Sequence, residues 1–384
     1  MGAPIDVRSL PGARQVTVVR EAGYFPVLAL LGEREVVAVM RGGAGHLGIE
    51  GRLELVRSRD GGATWLPPSV IADSEWDDRN PAVGVAADGT LVVAYHHQGS
   101  YDDQGRYDRR LNRADTFVVR SHDGGHSWKQ PRPLSFELLR GRSPYGPMLS
   151  FPDGTLGMCI YGMAIGESSP ADVPRYSTYL LRSADRGATW GDPSLVAAGF
   201  NETAFLRFPD ATLRSSGASS LRPLRPPKRD FVAREGGSTS SELLAALRSP
   251  DRAPNISVSR STDDGRTWSS PVRTTAPGEH PADLTLLSNG WVLMAYGHRR
   301  EPFGVQGMIS RDRGRTWEQD RKLIYNDDRP GGDCGYPSTV RFADGTLLTA
   351  YYSAGDHMDS YRLEGAFAAS VLYPERELVS ALER

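Results

Sequence analysis

This sequence of 384 residues has few cysteines and no long hydrophobic run. Its two cysteines, Cys159 and Cys334, exclude a disulfide-dense scaffold and a cysteine zinc site, and Cys159 is expected to be a buried small hydrophobe. No stretch of about 18 apolar residues is present, so no membrane span is expected. The first residues lack the apolar core of a signal peptide. We therefore expect a cytoplasmic protein, or a secreted one whose signal has been removed.

The chain also lacks an excess of charge of either sign and any clear helical periodicity. The formal net charge of −2 predicts no field that would attract nucleic acid. No His-x-x-x-His pair or aspartate-rich loop is present, so no metal and no cofactor are predicted. The 42 glycines and 27 prolines are typical of a protein with many turns. Nothing in the sequence indicates the oligomeric state.

What the chain does have is an eight-residue pattern, Ser-x-Asp-x-Gly-x-Ser/Thr-Trp, in five copies that contain five of the seven tryptophans. The copies occupy residues 58–65, 121–128, 183–190, 261–268 and 310–317. The Asp can accept backbone N–H groups of its own turn, and the Gly permits a positive φ. The Trp is expected to pack between neighbouring sheets. The pattern therefore predicts a structural hairpin turn, and its aspartates are poor catalytic candidates.

A second repeat, in which apolar runs flank an Asp-Gly or similar turn, alternates with the first. Clear turns begin at Asp88, Asp153, Asp210, Asn289 and Asp344, and a weaker one lies near Gly32. Together the two repeats predict six units of four strands. The favoured fold is a single all-β domain over residues 1–384, a six-bladed β-propeller of four-stranded antiparallel blades with Asp-box hairpins. An array of β-sandwiches is the weaker alternative.

One segment interrupts the repeat, between the third and fourth copies of the eight-residue pattern. Residues 214–242 are rich in Ser, Pro and Gly and predict a loop insertion. The expected strand resumes at Glu242–Arg248. A lid over the functional site is the alternative interpretation of the insertion.

Blade geometry predicts where functional side chains gather. In each unit the start of the first strand and the end of the second share one face, because both lie about eight residues from the turn. The residues before the turns are Phe25, Asn80, Tyr145, Glu202, Pro281 and Tyr336. The residues after the turns, with the adjoining loops, include Arg41, His46, Asp78, His96, His97, Tyr161, Arg248, His298, Arg299 and Tyr352. Such polar convergence predicts a ligand site, although single histidines could be ordinary solvated loop residues and Asp78 could belong to a salt-bridged turn.

Two of these strands carry motifs that resemble the sialidase superfamily of Asp-box six-bladed propellers. The stretch that begins Asn201-Glu202 is similar to a strand whose glutamate polarises the catalytic tyrosine, and the stretch that begins Tyr336-Pro is similar to the strand led by that tyrosine. The resemblance implies that Tyr336 is the nucleophile and Glu202 its base. It also implies that Arg248 and Arg299 bind a substrate carboxylate, with Arg300 as the alternative to Arg299.

The chain departs from that family pattern at two positions. Phe25 stands where the first arginine of the family is expected, and His46 lies about where the catalytic aspartate would be. A pocket with Phe25 in place of an arginine should bind a sialic carboxylate poorly. The resemblance therefore implies His46 as acid/base and another acidic or deoxy sugar as the substrate. Further predicted substrate contacts are Arg41, Asp78, Asn80, His97, Tyr145 and His298.

The function predicted from these residues is an exo-acting, sialidase-like glycoside hydrolase that removes a terminal acidic or deoxy sugar from a glycan. If Tyr336 is not the nucleophile, His46 with Glu202 or Asp78 could support an inverting or eliminative reaction. The alternatives are a non-catalytic glycan-binding propeller and a polysaccharide lyase that acts on uronate-containing glycans. The sugar and its linkage are not encoded in any recognisable motif.

Overall fold

The computed structural model describes residues 2–165, 176–209, 241–251, 253–355 and 359–384, and its regular structure is almost entirely β. One α-helix, α1 (Glu375–Glu383), and two short 3-10 helices, at Val7–Ser9 and Arg109–Leu111, occur in these ranges. The strands in chain order are β1 (Ile5–Asp6), β2 (Arg14–Arg20), β3 (Tyr24–Leu30), β4 (Val36–Gly42), β5 (Arg52–Ser58), β6 (Ser69–Ala72), β7 (Asp77–Val85), β8 (Leu91–Gln98), β9 (Ala114–Ser121), β10 (Arg132–Pro133), β11 (Leu139–Ser150), β12 (Leu156–Ala164), β13 (Tyr176–Ser183), β14 (Gly191–Ala198), β15 (Thr203–Arg207), β16 (Leu243–Arg248), β17 (Ile256–Ser261), β18 (Val272–Arg273), β19 (Glu279–Leu286), β20 (Val292–His298), β21 (Phe303–Ser310), β22 (Leu323–Arg329), β23 (Cys334–Arg341), β24 (Thr346–Ser353) and β25 (Phe367–Pro374).

These strands form five sheets. Three have four strands each, in the orders β3-β4-β5-β6, β15-β16-β17-β18 and β2-β25-β24-β23, and the last of these joins strands from near both chain ends. A fourth sheet, β1-β22-β21-β20-β19, gains a fifth strand because β1 pairs in parallel with β22. The fifth sheet has eight strands, because two antiparallel groups of four are joined by a short parallel pairing of β7 with β11. The prediction of an all-β fold is confirmed, with five sheets in place of six separate ones.

The leading strand of each four-stranded group contacts the leading strand of the next group. These contacts run from β3 to β7, β11, β15, β19 and β23, and β23 contacts β3 again, so that they form a closed cycle. Apolar faces of neighbouring groups are buried against each other; Val37 and Val39 of β4, for example, share a core cluster with Val83 and Val93. The cycle brings the beginnings of six strands into one region.

Each of the five repeated turns uses its own polar side chains. In the first, Ser58 Oγ donates to Asp60 Oδ1 at 2.7 Å and accepts from Gly62 N at 2.7 Å, while Thr64 donates to Asp60 from its N–H and its hydroxyl at 2.9 and 2.6 Å. The other four turns repeat these contacts. Burial acts to raise the pKa of Asp60, but the hydrogen bonds from Thr64 and Ser58 hold it at about 2. These carboxylates are therefore occupied within their turns.

The predicted insertion can be followed only at its end. Residues 214–240 of it lie outside the described residues, whereas Leu243–Arg248 forms β16, antiparallel to β15, which confirms the predicted resumption of the strand. Within the described ranges, no helix is long and apolar enough to cross a membrane.

Candidate active site

Three of the leading strands carry the same strained backbone at the predicted site. Phe25, Asn80 and Tyr336 have positive φ angles of 57°, 48° and 49°, and each precedes a proline. Each lies where the pairing register of its strand shifts. Such a conformation costs a non-glycine residue about 1–3 kcal/mol and is concentrated at functional sites. With Tyr145, these three residues line one small cavity, so four members of the predicted ring meet there.

The centre of the site is a contact between Tyr336 and Glu202. The Tyr336 hydroxyl donates to Glu202 Oε1 at 2.5 Å, and Arg248 Nη1 donates to Glu202 Oε2 and, at 3.1 Å, to the Tyr336 hydroxyl. Glu202 and Arg248 face each other because β15 and β16 pair antiparallel, with Thr203 opposite Leu247. Glu202 is 4% exposed and Tyr336 is 8% exposed. The three side chains therefore form one buried, charge-assisted cluster.

The electrostatics of this cluster keep the phenol protonated until a reaction begins. Burial, and then the charge of Glu202, raise the pKa of Tyr336 well above its ordinary value, while Arg248 and Arg299 act in the opposite direction. A neutral phenol that donates to a carboxylate can pass its proton to that carboxylate as it attacks an electrophile. The pair can thus act as nucleophile and base.

Two arginines at the cluster have side-chain N–H donors that make no hydrogen bond to any described residue. The Arg299 guanidinium lies 5.5 Å from the centre of the Tyr336 ring, and its buried Nε and Nη2 have no hydrogen-bond partner among the described residues; nor does Nε of Arg248. Unsatisfied buried donors cost about 1–3 kcal/mol each, and a ligand can recover that energy. The guanidinium of Arg79, the residue directly before Asn80, lies 5.4 Å from the centre of the Phe25 ring.

His46 belongs to a second polar group, beside the first. Its Nδ1 lies 2.9 and 3.0 Å from the two carboxylate oxygens of Asp333, and Tyr352 donates its hydroxyl to Asp333 Oδ1 at 2.6 Å. The Phe25 ring contacts both groups, with its centre 5.2 Å from that of His46 and 4.7 Å from that of Tyr336. Sequence reasoning missed Asp333; its position three residues before Tyr336 was the available signal.

Charge assignments follow from these contacts. Burial acts to raise the pKa of Asp333, but the hydrogen bonds from His46 and Tyr352 hold it at about 2, so the carboxylate is ionised. Burial lowers the pKa of His46, and Asp333 opposes that shift. Because ionised Asp333 can only accept, Nδ1 of His46 carries a proton and Nε2 is the nitrogen that can gain or lose one.

Arg41 and Asp78 were predicted to contact substrate, and their surroundings require a correction. The Arg41 side chain is fully buried, where it donates to Asp77 Oδ1 at 2.7 Å and to two backbone carbonyls at 3.1 Å. The Asp78 side chain is also fully buried and accepts from His97 Nδ1 at 2.8 Å and from Ser74 N at 3.0 Å. Neither side chain is accessible to a ligand, because the polar atoms of each are engaged in hydrogen bonds that fix the loops beside β4 and β7.

The other predicted contacts divide into near and remote residues. His97 stacks on Trp76, with ring centres 4.6 Å apart, and its Nδ1 lies 2.8 Å from Asp78 Oδ1. His298 donates from Nδ1 to the Pro302 carbonyl at 2.9 Å. Tyr145 packs against the Tyr336 ring and donates its hydroxyl to the Ala282 carbonyl at 3.0 Å, so the ring shapes the site while the hydroxyl is occupied. The Asn80 side chain makes long contacts: Nδ2 donates to Ser143 at 3.4 Å and to Tyr161 at 3.5 Å, and Oδ1 accepts from Arg79 Nε at 3.4 Å.

An open cleft leads to this region. One part, of about 640 Å³, is lined by residues that include His46, Arg79 and Asn80. The adjoining part, of about 390 Å³, is lined by residues that include His46, Arg299 and Asp333. No group of three or more His, Cys, Asp or Glu side chains within the described ranges could hold a metal ion. The cleft therefore offers arginines, a phenol, a carboxylate and an imidazole to a bound molecule.

Comparison with known proteins gives a family match. A family model described as a BNR repeat-like domain matches residues 50–349, which is more than half of the chain. No curated protein matches the chain. A solved protein of unknown function from Dyadobacter fermentans DSM 18053 is 22% identical, with a TM-score of 0.71, over 95% of this chain and 100% of that chain.

Solved sialidases share the fold at lower identity. The Hadza microbial sialidase Hz136 is 17% identical, with a TM-score of 0.63, over 93% of this chain and 66% of that one. Trypanosoma rangeli sialidase in complex with sialic acid is 15% identical, with a TM-score of 0.64, over 100% of this chain and 62% of that one. This chain thus spans less than two thirds of either sialidase, and at these identities the likeness establishes a common fold.

Proposed function

This chain belongs to the BNR repeat-like domain family, within the sialidase-like BNR/Asp-box superfamily, and from that premise we propose that it is an exo-acting glycoside hydrolase. Its substrate is a glycan with a terminal acidic or deoxy sugar. The observation that carries this proposal is the hydrogen bond from Tyr336 to Glu202, with Arg248 in contact with both side chains. A module that only binds glycans needs no buried phenol paired with a carboxylate.

We further propose that residues 1–384 form one domain, a six-bladed propeller with the site at its axis. The closed cycle of contacts among the six leading strands supports this arrangement. The eight-stranded sheet supports it as well, because it consists of two four-stranded groups that a short pairing links at their leading strands. The site then lies where six strand beginnings converge, which is a common location for ligand sites in closed β architectures.

In the proposed first step, Tyr336 attacks the anomeric carbon and its proton passes to Glu202. The bond to the leaving oxygen breaks, and the His46 imidazolium gives that oxygen a proton. In the second step His46 takes a proton from water, whose oxygen attacks the anomeric carbon; the bond from that carbon to the Tyr336 oxygen breaks, and Glu202 returns its proton to the phenol. Two displacements at one carbon retain its anomeric configuration.

The residues around the cluster support an acidic or deoxy sugar. The unsatisfied donors of Arg248 and Arg299 suit a carboxylate or several hydroxyls of the bound ring. The apolar Phe25 ring, which packs against both Tyr336 and His46, suits a carbon that carries no hydroxyl.

A screen of aryl glycosides and natural glycans tests the proposal. We expect release of a single terminal monosaccharide, and proton NMR taken early in the reaction should show that its anomeric configuration is retained. An inverted product would exclude Tyr336 as a nucleophile. An unsaturated product that absorbs in the near ultraviolet would establish the lyase alternative, and binding without release from any glycan would establish the binding module.

Asp333→Asn tests the role of His46. Asp333 raises the pKa of His46, so its loss lowers that pKa; since the first step needs the imidazolium, the basic limb of the kcat/KM profile should move to lower pH. We expect kcat near neutral pH to fall about tenfold or more for alkyl glycosides, and much less for 4-nitrophenyl glycosides, whose leaving group needs no proton. The measurement is the pH–rate profile with both leaving groups.

Asp328→Asn is the matched control, because Asp328 is an exposed carboxylate that pairs with Arg329 outside the site. Its profile should coincide with that of the wild type. An Asp333→Asn profile with an unmoved basic limb, or equal losses for both leaving groups, would remove His46 from the acid/base role.

A further inference from the structure

The larger part of the cleft extends well beyond the reacting groups. Its volume of about 640 Å³ lies within the range of about 300–1,000 Å³ that is typical of ligand sites. It begins at His46 and Asn80 and reaches the 3-10 helix Arg109–Leu111, and neither Tyr336 nor Glu202 lines it. The space therefore suits a part of the substrate other than the sugar at the nucleophile.

The lining of this cleft has charge of one sign. Among the described residues that line it, none carries a carboxylate, whereas three carry a guanidinium group: Arg79, Arg109 and Arg110. Arg110 is neutralised by Asp108, whose oxygens it contacts at 2.6 and 2.8 Å. Arg79 shares the carboxylate of Asp77 with Arg41, so two guanidinium groups face one negative charge.

Of the three arginines in this lining, Arg109 is the one whose charge is not paired with a carboxylate of a described residue. Within the described ranges its guanidinium has no hydrogen bond or ion pair, and its charge acts on the phenols of Tyr107 and Tyr176, which also line the cleft. Burial raises the pKa of Tyr107, and the positive charges of Arg79 and Arg109 oppose that shift, so both guanidinium groups lie near this phenol. The local excess of positive charge does not follow from the composition, since the whole chain has a net charge of −2.

Tyr107 supplies a second kind of contact. The residue is 38% exposed, although its backbone N–H donates to the Tyr361 hydroxyl at 2.7 Å and its ring packs edge-on against Tyr101. A tyrosine ring that is both fixed and exposed offers an apolar face to the C–H groups of a sugar at little cost in conformational entropy. Cationic and aromatic contacts thus occur side by side.

We propose that this cleft is a subsite for the glycan unit on the leaving-group side of the cleaved bond, and that it selects a unit with an anionic substituent. In this arrangement Arg109 pairs with a sulfate or carboxylate group, and Tyr107 stacks on the sugar that carries it. The inference depends on the proposed hydrolase function in one respect: that function defines which side of the cleaved bond the unit occupies. The binding preference itself follows from the lining.

The test measures binding in a Tyr336→Phe background, so that no probe is consumed. The probes are a sulfated chondroitin disaccharide, its unsulfated uronate-containing counterpart and neutral lactose, each titrated calorimetrically at low and high salt. We expect Arg109→Ala to weaken binding of an anionic probe about tenfold or more and to reduce its salt dependence, with little change for lactose. The two anionic probes distinguish a sulfate from a carboxylate as the preferred group.

Two further variants make the result specific. Arg132→Ala removes an exposed arginine of β10 that does not line the cleft, and it should bind every probe as its parent does. Tyr107→Ala should weaken the anionic and neutral probes alike, because stacking does not depend on charge. Equal binding of all three probes, no binding of either anionic probe, or equal affinities in the Arg109→Ala and Arg132→Ala variants would overturn the proposal.

These outcomes are separable from the fate of the hydrolase proposal. If no glycan is cleaved but Arg109→Ala loses the anionic probes, the anionic subsite stands and the enzyme proposal fails. If hydrolysis with retention is found but the probes are not distinguished, the enzyme proposal stands and the subsite is wrong.

Discussion

Tyr336→Phe should lower kcat by at least about 10³-fold on any glycan that the wild type cleaves. The substitution removes the one oxygen that both donates to Glu202 at 2.5 Å and accepts from Arg248 at 3.1 Å, while it keeps the ring that packs against Phe25 and Tyr145. KM should change much less than kcat, because the arginines and the cleft are untouched. Steady-state kinetics with the best substrate of the screen measures both.

The same variant should remain folded. Glu202 keeps its ion pair with Arg248, and the two hydrogen bonds that are lost, to Glu202 and from Arg248, are worth about 1 kcal/mol each. Tyr325→Phe is the matched control: it removes a buried hydroxyl that is 2.9 Å from the Tyr373 hydroxyl, away from the site. It should lose about 1 kcal/mol of stability and retain full activity. Full activity in Tyr336→Phe, or an equal loss in both variants, would contradict a nucleophilic role for Tyr336.

Glu202→Gln should lose both turnover and stability. The amide cannot take the phenol proton, so we expect kcat to fall by about 10³-fold. It also leaves Arg248 without its negative partner. Removal of one member of a buried pair costs about 3–5 kcal/mol, and we expect about 2 kcal/mol here because the Arg248 side chain is still 18% exposed and the amide oxygen can accept from it. Chemical denaturation and steady-state kinetics measure the two effects separately.

Glu279→Gln provides the comparison that separates the two effects. Glu279 is a buried carboxylate with cationic partners, Arg300 at 3.2 Å and Lys322 at 3.6 Å, and it has no contact with Tyr336. This variant should lose stability to a similar extent and retain kcat. If Glu202→Gln lost no more activity than Glu279→Gln, its inactivity would reflect instability, and Glu202 would not be the base.

The pairing of strain with function at this site has a physical explanation. Phe25, Asn80 and Tyr336 adopt a left-handed backbone conformation that most side chains avoid, and the proline that follows each of them restricts it further. The strain is tolerated because the closed cycle of leading strands holds these positions in place. A rigid backbone at Tyr336 keeps its hydroxyl close to Glu202 without help from a ligand, which is the preorganisation that proton transfer requires.

The sequence alone determined the all-β fold and the meeting of Tyr336 with Glu202. The repeats fixed where hairpins turn, and since a strand advances about 3.3 Å per residue, equal distances from the turns place residues at equal depth in their strands. Counting along the chain was therefore sufficient to bring together residues that are 134 positions apart.

The tertiary structure decided which polar side chains beyond these strands face the cleft. Arg41 and Arg79 both lie near strand ends, yet Arg41 is enclosed with Asp77, whereas Arg79 lines the cleft beside Phe25. His46 acquires its carboxylate partner, Asp333, from 287 positions away. Loop conformations depend on which side chains satisfy one another after the sheets have packed, and no local pattern encodes that choice.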